Sequence, residues 1–183
     1  MNEASMYMIK AILVLDNDGE RLVTKYFDNE AFPTVKEQRV FESKLFKKTF
    51  KDQDSEIVLL EDYTIIYKSN VDLFFYIIGD SCENELVLSN MLTTFYETVS
   101  TVLAKNVEKR CLLANLHQIL LLVDEMVDNG IVMDTDTASI INKIGCGPTN
   151  MGGLVGLEGG IGEQTVAQVI QQAKEFKWGS ILK

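Results

Sequence analysis

A single histidine limits what acid–base chemistry this 183-residue chain can perform. His117 stands between Leu116 and Gln118, with no acidic residue three or four positions away on either side. A general base needs an orienting partner, and helical spacing supplies none here, so His117 reads as a partly exposed helix residue. The three cysteines, Cys82, Cys111 and Cys146, lie far apart and form no Cys-x-x-Cys pair. With one histidine they do not make a zinc set, and their odd number points to reduced thiols rather than a disulfide framework. Asp16, Asp18 and Glu20 alternate as calcium ligands do, but no twelve-residue calcium loop follows them, so they read as turn residues. The run Gly145-Cys146-Gly147-Pro148-Thr149-Asn150-Met151-Gly152-Gly153 invites comparison with a phosphate loop. It follows a helical pattern, lacks the Gly-Lys-Ser/Thr ending and leads directly into no helix, so a linker is the better reading. No active site, cofactor site or metal site assembles, and a non-catalytic protein is expected.

Charge narrows the partners. Seventeen Lys and Arg face 27 Asp and Glu, giving a net charge of -10 and a pI near 4.6. Such a surface repels nucleic acid, whose binders neutralise phosphates with cations. The N-terminal residues lack the basic flank and apolar stretch of a secretory signal. No apolar run approaches the roughly 20 residues that span a bilayer, and no lipidation signal stands at either end, so an intracellular chain without its own anchor is expected.

The elements that would position any site are written in the apolar pattern. Residues 6–15 are apolar at odd and even positions alike, as in a strand buried on both faces. Asp16-Asn17-Asp18-Gly19 is a hairpin turn, and residues 20–28 return as a more polar edge strand. A helix is expected over 34–51, with Thr34 and Glu37 at capping-box spacing and Phe41, Leu45 and Phe46 on its apolar side. Strands at 56–60, 63–68 and 71–79 follow, the last again apolar on both faces around Leu73 to Ile78. Helices are then expected over 83–104 and 109–128, the second stopped by Gly130, with a short helix capped by Asp136. Residues 145–162 hold eight of the twelve glycines and read as a flexible linker, before an amphipathic helix at about 163–177. This order predicts an α+β fold with a mainly antiparallel five-stranded sheet, its two doubly apolar strands central and helices on both faces. The expected domains are a folded unit over 1–144, the linker 145–162, and a C-terminal amphipathic helix and tail over 163–183.

Two helices carry features beyond a core stripe. Helix 34–51 bears Lys36, Arg39, Lys44, Lys47, Lys48 and Lys51, either a solvated face or a contact with anionic lipid or an acidic partner. In helix 109–128, Leu112, Leu116, Ile119, Leu120, Val123 and Val127 suffice for a core stripe. Leu113, Leu121, Leu122 and Met126 extend apolar character around most of its circumference and are the candidate partner-interface residues.

Several segments in order along the chain carry a family resemblance: KAILVLDNDGERLVTKYF (10–27), PTVKEQRVFE (33–42), DSEIVLLEDYTIIYKSNVDLFFYIIG (54–79), ENELVL (83–88), NVEKRCLLAN (106–115), VDEMVDNGIV (123–132) and EQTVAQVIQQAKEFKW (163–178). Together they resemble the zeta subunits of coatomer, the small chains of the COPI vesicle coat. Val123, Asp124, Glu125 and Gly130 form a signature segment shared more weakly with clathrin-adaptor sigma chains. The resemblance implies a longin-type, SNARE-like domain, with one helix on one sheet face and two on the other, and no catalytic activity or cofactor. It also implies pairing with the trunk of the gamma-coatomer subunit, within a coat recruited to Golgi membranes by an Arf-class small GTPase. That places the expected chain in the cytoplasm, peripheral on Golgi membranes and COPI vesicles, in Golgi-to-ER and intra-Golgi transport. The competing readings are a sigma-type adaptor chain and a longin module that binds a SNARE or small GTPase.

Overall fold

The computed structural model describes residues 9–50 and 56–145. The chain falls into two units, Met1–Gly145 and Cys146–Lys183, and every described residue belongs to the first. The expected linker beyond Gly145, the final helix at 163–177 and residues 6–8 of the first strand lie outside the described residues.

The first strand, β1 (Ile9–Asp16), has seven of its eight residues buried, as its two apolar faces require. Its chain reverses into β2 (Arg21–Tyr26) through a turn that Asp16 holds closed. The Asp16 Oδ1 accepts the backbone amides of Asp18 and Glu20, each at 2.9 Å. Gly19 is required there twice over: its φ is +77°, and a Cβ would stand 2.7 Å from the Phe46 ring.

Helix α1 (Val35–Thr49) begins with the expected capping box. Thr34 Oγ1 accepts the Glu37 amide, and the Glu37 carboxylate accepts the Thr34 amide. Strands β3 (Ile57–Leu60), β4 (Tyr63–Asn70) and β5 (Leu73–Asp80) complete an antiparallel sheet of order β2-β1-β5-β4-β3. The two doubly apolar strands pair with each other, from Ile9 opposite Gly79 to Asp16 opposite Leu73. β5 starts later than residue 71 because Val71 occupies the turn, at φ 51°.

Alternation assigns the two faces. Ala11, Leu13 and Leu15 of β1, Ile65 and Tyr67 of β4, and Phe74, Tyr76 and Ile78 of β5 form one core with Phe41 and Leu45 of α1. The buried Thr49 hydroxyl shares a 2.8 Å hydrogen bond with that of Tyr76, so the polar tip of the largest buried side chain is satisfied. α1 is clamped at the sheet edge by charge as well. Arg21 donates twice to Glu42, at 2.8 and 3.0 Å, and the Tyr26 hydroxyl donates to the same carboxylate at 2.9 Å. Burial and the Glu42 charge push the Tyr26 phenol well above its usual range, fixing it as a donor.

The opposite face is covered by α2 (Glu85–Val102), with Phe95 edge-on to Phe75 at 5.8 Å. Gly79 lets it approach, since a Cβ there would meet Leu88 Cδ1 at 2.8 Å. Beside it lie α3 (Lys109–Ala114), α4 (Leu116–Met126) and α5 (Thr137–Lys143), with α4 packed on α2, α5 and β2. Asp136 caps α5 through the Ser139 amide, as expected.

The helix expected over 109–128 is corrected in two ways. It breaks at Asn115, whose φ of -113° and ψ of 21° leave the helical region, and whose side-chain amide donates to the Cys111 carbonyl at 2.9 Å. That local bond competes with the helical ladder, as Asn characteristically does. Nor is Gly130 a helix stop. Helix α4 ends at Met126, and Val127–Asp128 (β6) pairs with Ile131–Val132 (β7) across an Asn129-Gly130 turn, with φ of 47° and 84°. Positive φ at both positions is the hairpin geometry that Asn-Gly favours. The Gly130 carbonyl accepts the Ile9 amide at 2.7 Å, tying this hairpin to the start of β1.

Acid should loosen this fold. The Lys10 ammonium holds the Asp28 carboxyl below the usual aspartate range. Burial pushes Asp16 up, but the Lys109 ammonium and the Glu20 and Asp18 amides together pull it below that range. A carboxyl depressed on folding stabilises the native state above about pH 4 and loses that contribution as pH falls through its folded value. Asp28→Asn is therefore expected to lower stability at pH 7 and to flatten its decline below about pH 4, as read by denaturant unfolding across pH. Glu42→Ala strands Arg21 and the Tyr26 hydroxyl. It should cost about 2–3 kcal/mol by the same unfolding measurement.

Candidate functional site

Among the described residues, the histidine and the cysteines form no catalytic pair. His117 is exposed on α4, and Cys111 is half-buried on α3, its Sγ accepting the Asn106 side-chain amide at 3.1 Å. No hydrogen bond joins the two among the described residues. Asp16 is committed to its turn and to Lys109 at 2.7 Å, a structural role, and no metal-binding group of His, Cys, Asp and Glu occurs among the described residues. The remaining candidate is a surface.

The α3–α4 segment supplies it. Helical phase carries across the break at Asn115, from the buried Leu112 to Ile119 and Met126, and α4 turns Ile119, Leu122, Val123 and Met126 inward at i, i+3, i+4 and i+7 spacing. All four are essentially inaccessible, so Leu122 and Met126 belong to the chain's own core and are corrected as interface candidates. The expected core stripe is corrected in the other direction, because Leu120 is 44% exposed. Leu121 is 50% exposed and Leu113 47%, and these two retain their place on the outer surface. Leu113, His117, Leu120 and Leu121 thus follow one outward line across the helix break.

The signature segment serves the same arrangement from within. Val123 is buried, Asp124 forms an ion pair with Lys25 of β2, and the Glu125 carboxylate stands 3.9 Å from Lys143 of α5. Lys143 makes its closer pair with Asp134 at 2.8 Å. That ammonium, with the Ser139 hydroxyl, holds the Asp134 carboxyl far below its usual range. Gly130 makes the hairpin turn against β1. Of these four, Val123 packs in the core, Asp124 contacts the edge strand β2 and Gly130 ties the hairpin to β1.

A family model described as clathrin adaptor complex small chain matches residues 8–148. The human coatomer subunit zeta-1 is 48% identical over 177 residues, spanning 96% of this chain and 94% of its own. The human coatomer subunit zeta-2 is 46% identical over 184 residues, spanning 100% of this chain and 82% of its own. The chain belongs to the coatomer zeta family of adaptor small chains. Its fold also matches a chain in a homology model of the full-length AP-3 complex in a stretched open conformation. That match has a TM-score of 0.58 and 22% identity, and covers 75% of this chain and 91% of the other, so it is a likeness of fold. The longin-type adaptor fold read from the zeta-like segments is the fold observed, with α1 on one sheet face and α2 and α4 the main helices on the other.

The inward and outward faces of this zeta-family α4 separate by mutation. Leu121→Asp should leave the thermal unfolding free energy within about 0.5 kcal/mol of the parent. Leu122→Asp places an unpaired carboxylate in a closed core and should cost more than about 4 kcal/mol or abolish folding, as read by circular dichroism.

Proposed function

We propose that the chain is a non-catalytic subunit of the COPI vesicle coat and pairs with the trunk of the gamma-coatomer subunit. The near full-length identity of 46–48% to coatomer zeta subunits carries the reading. The outer face of α3–α4 is the surface offered to that partner, through Leu113, Leu120 and Leu121. Leu113, Leu120 and Leu121 are 44–50% exposed, and burial of that remaining area against another chain would remove it from water. The chain's part is mechanical. It extends the folded surface of a larger subunit, and the assembled coat, recruited by an Arf-class GTPase, selects cargo for Golgi-to-ER and intra-Golgi transport. Its place is then cytosolic and peripheral on Golgi membranes and COPI vesicles, and no described helix is long and apolar enough to cross a membrane.

Co-expression of the tagged full chain with a gamma-coatomer trunk should yield a one-to-one complex. In that complex, Leu120→Asp with Leu121→Asp should weaken binding by about 30-fold or more, the equivalent of a hot-spot loss of about 2 kcal/mol. Pairing with a clathrin-adaptor large subunit in place of gamma would move the chain to the sigma class. Tight binding of a SNARE peptide by the chain alone, with no coat subunit bound, would support the longin regulatory reading.

A further inference from the structure

The outer face of α1 is cationic on a chain that is strongly anionic. Lys36, Arg39, Lys44, Lys47 and Lys48 are all exposed, and one of the helix's two carboxylates, Glu42, is buried beneath it. Lys44 is paired with Glu61 at 2.8 Å, and Lys48 donates to the Leu59 carbonyl. Lys36, Arg39 and Lys47 make no ion pair among the described residues. Lys47 and Lys48 lie in the last turn, where the helix dipole favours cations. Lys36 lies in the first turn, where the dipole disfavours a cation, so the dipole does not account for its charge.

The same face is apolar in places. Val40 is 55% exposed and stands one turn after Lys36 and two turns before Lys47, and Phe50, 50% exposed, continues the line. Cations interleaved with exposed apolar side chains on one convex helix are the pattern of adsorption to a bilayer surface. The clefts on either flank of α1 fit an acidic peptide poorly. One is lined by Asp18, Glu20 and Glu42 with Arg21, Arg39 and Lys47, and the other by Glu37 and Glu61 with Lys36 and Lys44. Acids and bases are matched in each cleft, so neither offers an acidic peptide a net cationic groove, whereas Lys36, Arg39, Val40 and Lys47 together are open to a flat anionic surface.

We propose that the outer face of α1 adsorbs to an anionic lipid bilayer, with Lys36, Arg39 and Lys47 at the headgroups and Val40 and Phe50 at the interface. The choice of a membrane leans on the coat reading, but its test needs no coat subunit. The full chain is sedimented with phosphatidylcholine vesicles in which about a third of the lipid is phosphatidylserine, at low and high salt. Binding to these vesicles and not to pure phosphatidylcholine, lost on adding salt, is expected. Lys36→Glu with Lys47→Glu should lower the partition coefficient by about tenfold or more, at roughly a tenfold loss per one to two surface cations removed. Val40→Asp should lower it too, while Leu121→Asp leaves it unchanged and circular dichroism stays that of the parent for all variants. Equal binding to neutral vesicles, no effect of the charge reversals, or retention by an acidic polypeptide without vesicle binding would overturn the proposal. A negative vesicle result together with an intact gamma complex refutes membrane contact and leaves the coat reading standing.

Discussion

A pair of neighbouring strands apolar on both faces governs this fold. β1 and β5 hydrogen-bond along their whole length and are buried almost throughout, so each face of the sheet must be covered or the pair would expose rows of Ile, Leu and Phe. Helix α1 closes one side, and α2 with α4 and α5 closes the other. Several smaller features are consequences of that demand. Gly79 admits α2, Gly19 admits Phe46, and the buried Thr49–Tyr76 pair satisfies the polar tip of a side chain the core needs for its bulk. The Arg21–Glu42–Tyr26 group ties α1 to the edge of the sheet.

Once both faces are closed, the apolar surface still exposed among the described residues is not needed to cover the sheet. α4 divides sharply on this criterion. Its inner stripe is filled by Ile119, Leu122, Val123 and Met126, and among the described residues the outer leucines stay half-exposed. Asp124 pairs with Lys25 of β2 and Glu125 stands near Lys143 of α5, on the flanks of the helix between its inner and outer faces. α1 divides similarly, with aromatic packing inward and cations outward. A small subunit built this way offers two exteriors of opposite chemistry, one apolar and one cationic.

Periodicity and turn chemistry made much of this readable from the residues. The doubly apolar strands, the Thr34–Glu37 cap, the α2 stripe and the Asp136 cap follow local rules that tertiary packing reinforces. The failures cluster between 109 and 132. The core stripe drawn through Leu120 and Val127 is centred too far round the helix, because Val127 is buried in β6 and not in the helix. Leu112, Ile119, Val123 and Met126 keep one phase across Asn115, which turns Leu122 and Met126 inward and Leu120 outward. Asn129-Gly130, flanked by Val-Asp and Ile-Val, is a hairpin signal in plain view. It was obscured because two-residue strands are too short to show alternation and a glycine after a long apolar helix also suits a C-terminal stop. Which leucines remain exposed depends on how α4 packs on α2, α5 and β2, and no local pattern contains that.

The central claim is that α4's outward leucines lie at a coat partner, and site-specific photo-crosslinking tests it most directly. A benzophenone amino acid placed at position 121 of the full chain, irradiated in intact coatomer, is predicted to give one dominant adduct with the gamma subunit. The same probe at position 71, exposed on the β4–β5 turn, serves as the control and should give no such adduct. A chain that assembles into coatomer normally yet crosslinks to gamma from position 71 and not from position 121 would contradict the account.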